Sequence, residues 1–379
     1  MDYAISKKGI RFSFLPLSVR FLLRDAGIFV NSVAMQTSNM LIRPLKQKEA
    51  SDLKQEVKNR TIKTVLVNRN DRIGDAVVSL KIIDQLRKHF DQVYVLVSDQ
   101  NEFILREIEG IKLIKPNDIA KTSIRFDLII DFIGSLAQDK SIKSRYKIGF
   151  NRGLSSLNYS NFFPTNLSEC GKHVIDAQID LIDQCLGINI HIDDLPPSDF
   201  KKTKKKQTFI FVGNKPNRNL PYSTWKELIL LSANKTKTIV ADDPDQAIMN
   251  QLKSDDQIAK NKNVELIIGQ RQLPDFAKIA NDSNLFISLD GGAEHYLERY
   301  TNSITFYTCG YPVNWKPYSS NLYKQIQINS SQILEETTTS AGLKKRVVYN
   351  IKERKPCYDL VCDYQKFKKF NYVVLHIFV

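Results

Sequence analysis

The sequence predicts an α/β protein made of two doubly wound parallel sheets. Three observations carry that prediction. From residue 64 onward, short apolar runs alternate with helix-length segments, as strands joined by crossover helices do. The alternation breaks once, at a stretch rich in proline and lysine, and then resumes. The chain has 379 residues, enough for two domains at roughly 100–200 residues each.

In chain order, residues 1–60 read as a basic and apolar extension. Within it, "GIRFSFLPLSVRFLLRDAGIFVNSVAM" (9–35) is apolar but interrupted by Arg11, Arg20, Arg24 and Asp25. No run reaches the ~18–20 apolar residues of a spanning helix. A helix lying on a membrane surface and a helix packed on the protein body both suit it. Residues 44–60 form a charged connector. A first domain covers 61–190: strands at Thr64–Val67, 92–98 and 111–114, an apolar run at 126–134, and a short strand at 145–150. Helices are expected near 75–89, around Phe103-Ile104-Leu105, and over 173–188, where Val174, Ile175, Ala177, Leu181, Ile182 and Leu186 share a face. "HIDDLPPSDFKKTKKKQ" (191–207) is the linker. A second domain covers 208–342, with strands near 208–214, 236–241, 264–269, 285–290 and 303–308. Residues 343–379 are a basic, aromatic tail.

Charge and motif content restrict function. The formal net charge of +14 favours anionic partners such as nucleic acid, anionic lipid or a phosphorylated substrate. No nucleic-acid recognition motif accompanies it, and the lysines are dispersed or lie in the linker. Five cysteines, with only Cys357 and Cys362 close together, point to a reducing compartment and away from structural zinc. The glycine-rich dinucleotide and P-loop signatures are missing, as are GxSxG and HExxH. Asp242, Asp243 and Asp245 read better as a polar loop than as metal ligands, so no metal is expected.

Ligands of doubly wound sheets bind beyond the carboxyl ends of the strands. Four loops at such ends carry unusual residues. The first is "VLVNRNDRIGDAVVSL" (65–80), where Gly74 and Asp75 open a helix beside Arg69 and Arg72. A carboxylate is favoured at a helix start, as a plain cap or as a working group, and two guanidiniums beside it exceed what a cap requires. The second is "GNKPNRNLPYSTW" (213–225), offering Lys215 and Arg218 to an anion. The third is "SLDGGAEH" (288–295): Asp290 ends a strand, Gly291 and Gly292 present backbone amides at the next helix start, and His295 follows one turn later. Such a turn suits a phosphate. The fourth is "GYPVNWKPY" (310–318), with Trp315 and Lys316, suited to a base or sugar and equally to packing.

Taken together, these stretches resemble glycosyltransferase family 9, the lipopolysaccharide heptosyltransferases. Arg69-Asn70-Asp71-Arg72-Ile73-Gly74-Asp75 with Ser79 resembles the family's opening pattern. Asp131-Phe132-Ile133-Gly134 resembles its D-x-x-G element, and Arg218-Asn219-Leu220-Pro221 the basic residue and proline that open its second domain. Asp290-Gly291-Gly292-Ala293-Glu294-His295 resembles its D-[ST]-G-x-x-H signature, and Gly310-Tyr311-Pro312 with Trp315-Lys316-Pro317-Tyr318 its late element. The resemblance spans about residues 62–320. It departs from the family at Gly291, which replaces Ser or Thr, and at Asp242-Asp243-Pro244, which replaces a glycine-rich loop.

The resemblance implies a GT-B fold, two Rossmann-like domains facing a cleft. It implies inverting, metal-independent transfer of a sugar, usually heptose from ADP-heptose, to a lipopolysaccharide core or related envelope glycan. No cofactor beyond the nucleotide-sugar donor is implied. Asp75 would be the general base. Lys215, Arg218, Asp290, Gly291, Gly292 and His295 would serve the donor and its phosphates, and Arg69, Arg72 and Gly74 an acidic or lipid-linked acceptor. The implied location is the cytoplasm, peripheral to the inner face of a bacterial cytoplasmic membrane, with an anionic membrane surface and no nucleic acid among the partners. The other reading is a non-catalytic relative that binds a glycan or a partner protein.

Overall fold

The computed structural model describes residues 30–119, 121–139, 141–165 and 172–192 of the first half. In the second half it describes 206–211, 222–230, 236–241, 247–268, 273–283, 285–289, 291–297, 299–300, 303–307, 315, 323–327, 349–350 and 371–372. The described residues up to 192 belong to one compact unit and those from 206 onward to another.

The first unit is built on six parallel strands: β1 (Thr64–Arg69), β2 (Gln92–Val97), β3 (Lys112–Ile114), β4 (Phe126–Asp131), β5 (Ser144–Phe150) and β6 (Asn161–Phe163). Their spatial order is β3-β2-β1-β4-β5-β6, the doubly wound arrangement whose switch point lies between β1 and β4. After its first residue every position of β1 is buried, because helices cover both faces of such a sheet. The sequence predicted β1 to β5 within a few residues. It missed β6, a three-residue strand with no alternation to reveal it.

Helix α1 runs over 30–45 with a π-helical stretch at Ser38–Ile42, and α2 spans Gln47–Lys58. Residues 44–60 were expected to be a charged connector. Instead α2 forms because its residues are mostly good helix formers, and it is held by Leu53, its one fully buried side chain. Glu56 also pairs with Arg145 and accepts from the Tyr146 hydroxyl at 3.0 Å. Helix α3 (Ile73–Leu86) buries Ala76, Val77, Ile82, Ile83 and Leu86. Helix α4 (Val174–Leu186) begins where His173 Nδ1 accepts from the Ile175 amide and ends at left-handed Gly187 (φ 72°), whose amide bonds Asp183, as glycine caps do.

The second unit repeats the topology. Strands β7 (Lys206–Phe211), β8 (Thr236–Ala241), β9 (Val264–Ile268), β10 (Leu285–Leu289), β11 (Ser303–Tyr307) and β12 (Tyr323–Gln327) are parallel, in the order β12-β11-β10-β7-β8-β9. Helices α5 (Tyr222–Leu230), α6 (Ala247–Ser254), α7 (Leu273–Asn281) and α8 (Gly292–Leu297) connect them. Trp225, Ile229, Met249, Leu252 and Phe276 are fully or almost fully buried. The sequence predicted β7 to β11 and missed β12. Most of the linker and of the tail lies outside the described residues.

Close packing in the first sheet makes a specific demand at Gly149 of β5. A Cβ there would stand 2.6 Å from Tyr159 Cζ, 2.7 Å from its hydroxyl and 3.0 Å from the Asp131 carbonyl. Tyr159 is fully buried and cannot swing away. Gly149→Ala is therefore expected to cost about 1–3 kcal/mol of stability, measured by urea unfolding of the full chain.

Candidate functional site

The site at the end of the first sheet is set by strand register. Asn68 of β1 pairs with Asp131 of β4 across the switch point, so two polar side chains meet where both strands stop. Asp131 is fully buried, and its carboxyl group accepts four hydrogen bonds. Asn68 Nδ2 and the Gly134 amide donate to Oδ1 at 2.8 Å each; the Leu136 amide (2.9 Å) and the Tyr159 hydroxyl (3.0 Å) donate to Oδ2. The D-x-x-G element thus turns the chain sharply after β4, with Gly134 at φ +81°, a conformation glycine adopts without strain. Arg152 bonds the Ile133 carbonyl over that turn.

One residue past Asn68, β1 ends in Arg69, whose side chain is 1% exposed. Its guanidinium donates to the Asp75 carbonyl (3.0 Å), to Ser79 Oγ (2.9 Å) and to Asp71 Oδ2 (2.8 Å), and it lies over the Phe132 ring at 5.4 Å. The resemblance placed Arg69 at the acceptor. In this structure its hydrogen bonds run into the loop, and a buried cation spent on internal partners has little left for a ligand. Asn101, also fully buried, donates to the carbonyls of Arg69 (2.6 Å) and Asp71 (3.2 Å), and Ser98 Oγ donates to the latter at 3.0 Å. Ser79 Oγ also lies 2.9 Å from Gln178 Oε1 of α4. The functional reading of the sequence missed Asn101, Ser98 and Gln178; each sits far from the motif in sequence and carries no local signal.

Against this framework Arg72, Gly74 and Asp75 take distinct places. Arg72 is the N-cap residue of α3, extended (φ −86°, ψ 162°) and exposed. Gly74 is buried in the first turn, and Asp75 follows it, partly exposed. Desolvation pushes the Asp75 carboxyl above the ordinary range, while Arg69 and then Arg72 draw it back. Asp71 is pushed up to about 7, mainly by desolvation, with Arg69 opposing and the Asp75 charge adding. One of its oxygens faces Arg69, and the other, Oδ1, is buried without a hydrogen-bond partner among the described residues. Two carboxyl groups therefore share one cationic loop and titrate together.

In the second unit, Lys215, Arg218, Asp290 and Lys316 lie outside the described residues, as do Asp242 and Asp243. Gly291 precedes α8, and a Cβ there would meet nothing within 4 Å among the described residues. Gly292 opens α8, and the His295 amide bonds the Gly291 carbonyl at 3.3 Å. His295 is buried, with Nδ1 3.3 Å from Glu294 Oε2 and its ring 5.8 Å from that of Trp315. Glu294 Oε1 accepts from Thr305 Oγ1 of β11 at 3.1 Å. Among the described residues, no group of three or more His, Cys, Asp or Glu side chains could hold a metal ion.

The sign of the Asp71 titration gives a test. A carboxyl raised on folding adds stability that is complete below its unfolded value of about 4 and is lost as pH rises through about 7. Asp71→Asn removes that titration. Urea unfolding at pH 5 and pH 8 is expected to shift in favour of the variant, relative to wild type, at the higher pH.

No family model and no curated protein sequence matches the chain. Solved structures do. E. coli heptosyltransferase WaaC with ADP is 17% identical, with a TM-score of 0.56, covering 70% of this chain and 93% of that one. A glycosyltransferase family 9 protein from Veillonella parvula is 15% identical, with a TM-score of 0.54, covering 70% of this chain and 86% of that one. E. coli ADP-heptose lps heptosyltransferase II is 14% identical, with a TM-score of 0.51, over 72% and 92%. Both sheets carry the doubly wound order, and the chain shares the fold of the family 9 glycosyltransferases, heptosyltransferases among them.

Proposed function

We propose that the protein is an inverting glycosyltransferase that moves a sugar from a nucleotide-sugar donor, of the ADP-heptose class, to an acidic or lipid-linked envelope glycan. The observation that carries this reading is the position of Asp75. It is a partly exposed carboxyl group in the first turn of α3, at the switch point of a doubly wound sheet, with its backbone fixed by a buried arginine. The fold likeness supports it, and one of those neighbours holds ADP.

In the proposed reaction, the acceptor hydroxyl gives its proton to the Asp75 carboxylate. The freed oxygen attacks the anomeric carbon from the face opposite the diphosphate. The bond from that carbon to the diphosphate oxygen breaks, and the nucleoside diphosphate leaves with the electron pair. A base held above the ordinary carboxylate range is a better proton acceptor near neutrality. Exposed Arg72 would meet a phosphate or carboxylate of the acceptor, with Gly74 leaving room beside it. On the second unit, the Gly291 and Gly292 amides with Lys215 and Arg218 would neutralise the diphosphate without a metal, and Asp290 and His295 would shape that turn. The work would be done from the cytoplasm, at the inner face of a bacterial cytoplasmic membrane.

The non-catalytic reading rests on Asp242-Asp243 and Gly291, which stand where the family has a glycine-rich loop and a hydroxyl. Calorimetric titration with ADP, UDP, GDP, CDP and ADP-heptose separates the two. Binding of one nucleotide class without added metal supports the transferase, and no binding to any supports the alternative. Given donor binding, Asp75→Asn is expected to lower transfer ~100-fold to 10,000-fold with donor affinity unchanged; equal loss of both would remove Asp75 as the base. The wild-type rate is expected to rise with pH along a limb above the ordinary carboxylate range, because desolvation raises the Asp75 carboxyl, rather than near ~4.

A further inference from the structure

We propose that the outer face of α1, with the 3₁₀ turn Gly153–Asn158 beside it, is a docking surface for an anionic lipid bilayer. The large apolar side chains left exposed among the described residues all lie in these two segments. On α1 they are Val30, Val33, Met40, Leu41 and Leu45, with Met40 75% and Leu45 78% exposed. Met35, Ser38 and Ile42 occupy the opposite face and are buried, so the exposed stripe is not the side by which the helix holds to the protein. The π-helical stretch widens the backbone where Met40 and Leu41 stand next to each other in solvent.

The 3₁₀ turn adds Leu154 and Leu157. Side chains three apart eclipse in such a turn, so both leave it on one side. The turn lies directly against α1: a Cβ on Gly153 would come within 3.1 Å of Ala34 Cβ. Ser38 Oγ lies 2.8 Å from Asn151 Oδ1, and Asn39 donates to the Pro164 carbonyl at 2.9 Å. Helix α1 and the turn are thus fastened together by these contacts.

Charge identifies the occupant. Residues 30–48 contain Arg43, Lys46 and Lys48 and no Asp or Glu; Lys46 pairs with Glu49 at 2.9 Å, and residues 140–168 contain no Asp or Glu. Arg43 and Lys48 are exposed beside the apolar stripe. An exposed apolar patch of this kind marks a protein or membrane contact. Exposed Arg43 and Lys48 beside it, on a chain of net charge +14, match an anionic lipid surface. The sequence just before α1, residues 9–29, has the same character, with Arg11, Arg20 and Arg24 among apolar residues and Asp25 the one acid. Among the described residues no helix is long and apolar enough to cross a membrane. The proposal deepens the reading of the function, resting on it for a membrane-borne acceptor. Adsorption is measured without donor or acceptor, so the two can fail separately.

The experiment is co-sedimentation of the full chain with vesicles of phosphatidylcholine alone or with about 30% phosphatidylglycerol, an anionic surface of the kind that attracts basic segments. Binding is expected to the anionic vesicles, weakened by high salt. Met40→Ser with Leu41→Ser is expected to weaken it about tenfold or more, with the urea unfolding curve unchanged. Leu154→Ser with Leu157→Ser, an independent pair, is expected to act in the same direction. Failure to bind anionic vesicles, or equal binding by both double variants, overturns the proposal. So does a wild-type dimer that the variants convert to monomers, since a second copy would then cover the face.

Discussion

A buried guanidinium governs the candidate site. Arg69 is brought into the interior by the end of β1, and a cation there costs several kcal/mol unless its donors are met. The chain meets most of them with what lies nearby: the Asp71 carboxyl group, the Asp75 carbonyl and the Ser79 hydroxyl, with the Phe132 ring beneath. Each partner fixes a piece of backbone. The path from Asn70 to Asp75 is therefore set by the needs of a side chain that points away from solvent, and the first turn of α3 inherits its position from that path.

The neighbouring strand ends by the same logic with different chemistry. Asp131 accepts four hydrogen bonds at the end of β4, and Asn68 of β1 supplies one of them. The two strand ends at the switch point are thereby tied to each other and to Tyr159. Most of the loop's polar groups face inward. Arg72 is left exposed, with Asn70 and Asp75 partly so, on a backbone that these inward bonds hold.

Much of this architecture was legible in the sequence, for a physical reason. Strands of a parallel sheet are buried on both faces and read as unbroken apolar runs, and helices between them show one apolar face. Elements without those marks escaped. The strands β6 and β12 are short, and α2 has one fully buried side chain, Leu53, so its surface reads as a connector. In the site, the motif located Arg69, Arg72, Gly74 and Asp75. It did not reveal that Arg69 is buried, because burial depends on Asn101, Ser98 and Gln178, which reach the loop only through the fold.

Sheet order has a consequence for synthesis on the ribosome. All six strands of the first sheet and the helices on it end at Leu186, so that sheet has its complete sequence before the second emerges. Strand β1 is made early but sits at the centre, between β2 and β4. Its β4 edge stays open until residues 126–131 leave the exit tunnel, which leaves backbone N–H and C=O groups unpaired along an apolar strand. The second sheet repeats the delay: β7 waits for β10. A central strand is therefore left half paired twice during synthesis, each time until the partner that closes it is made.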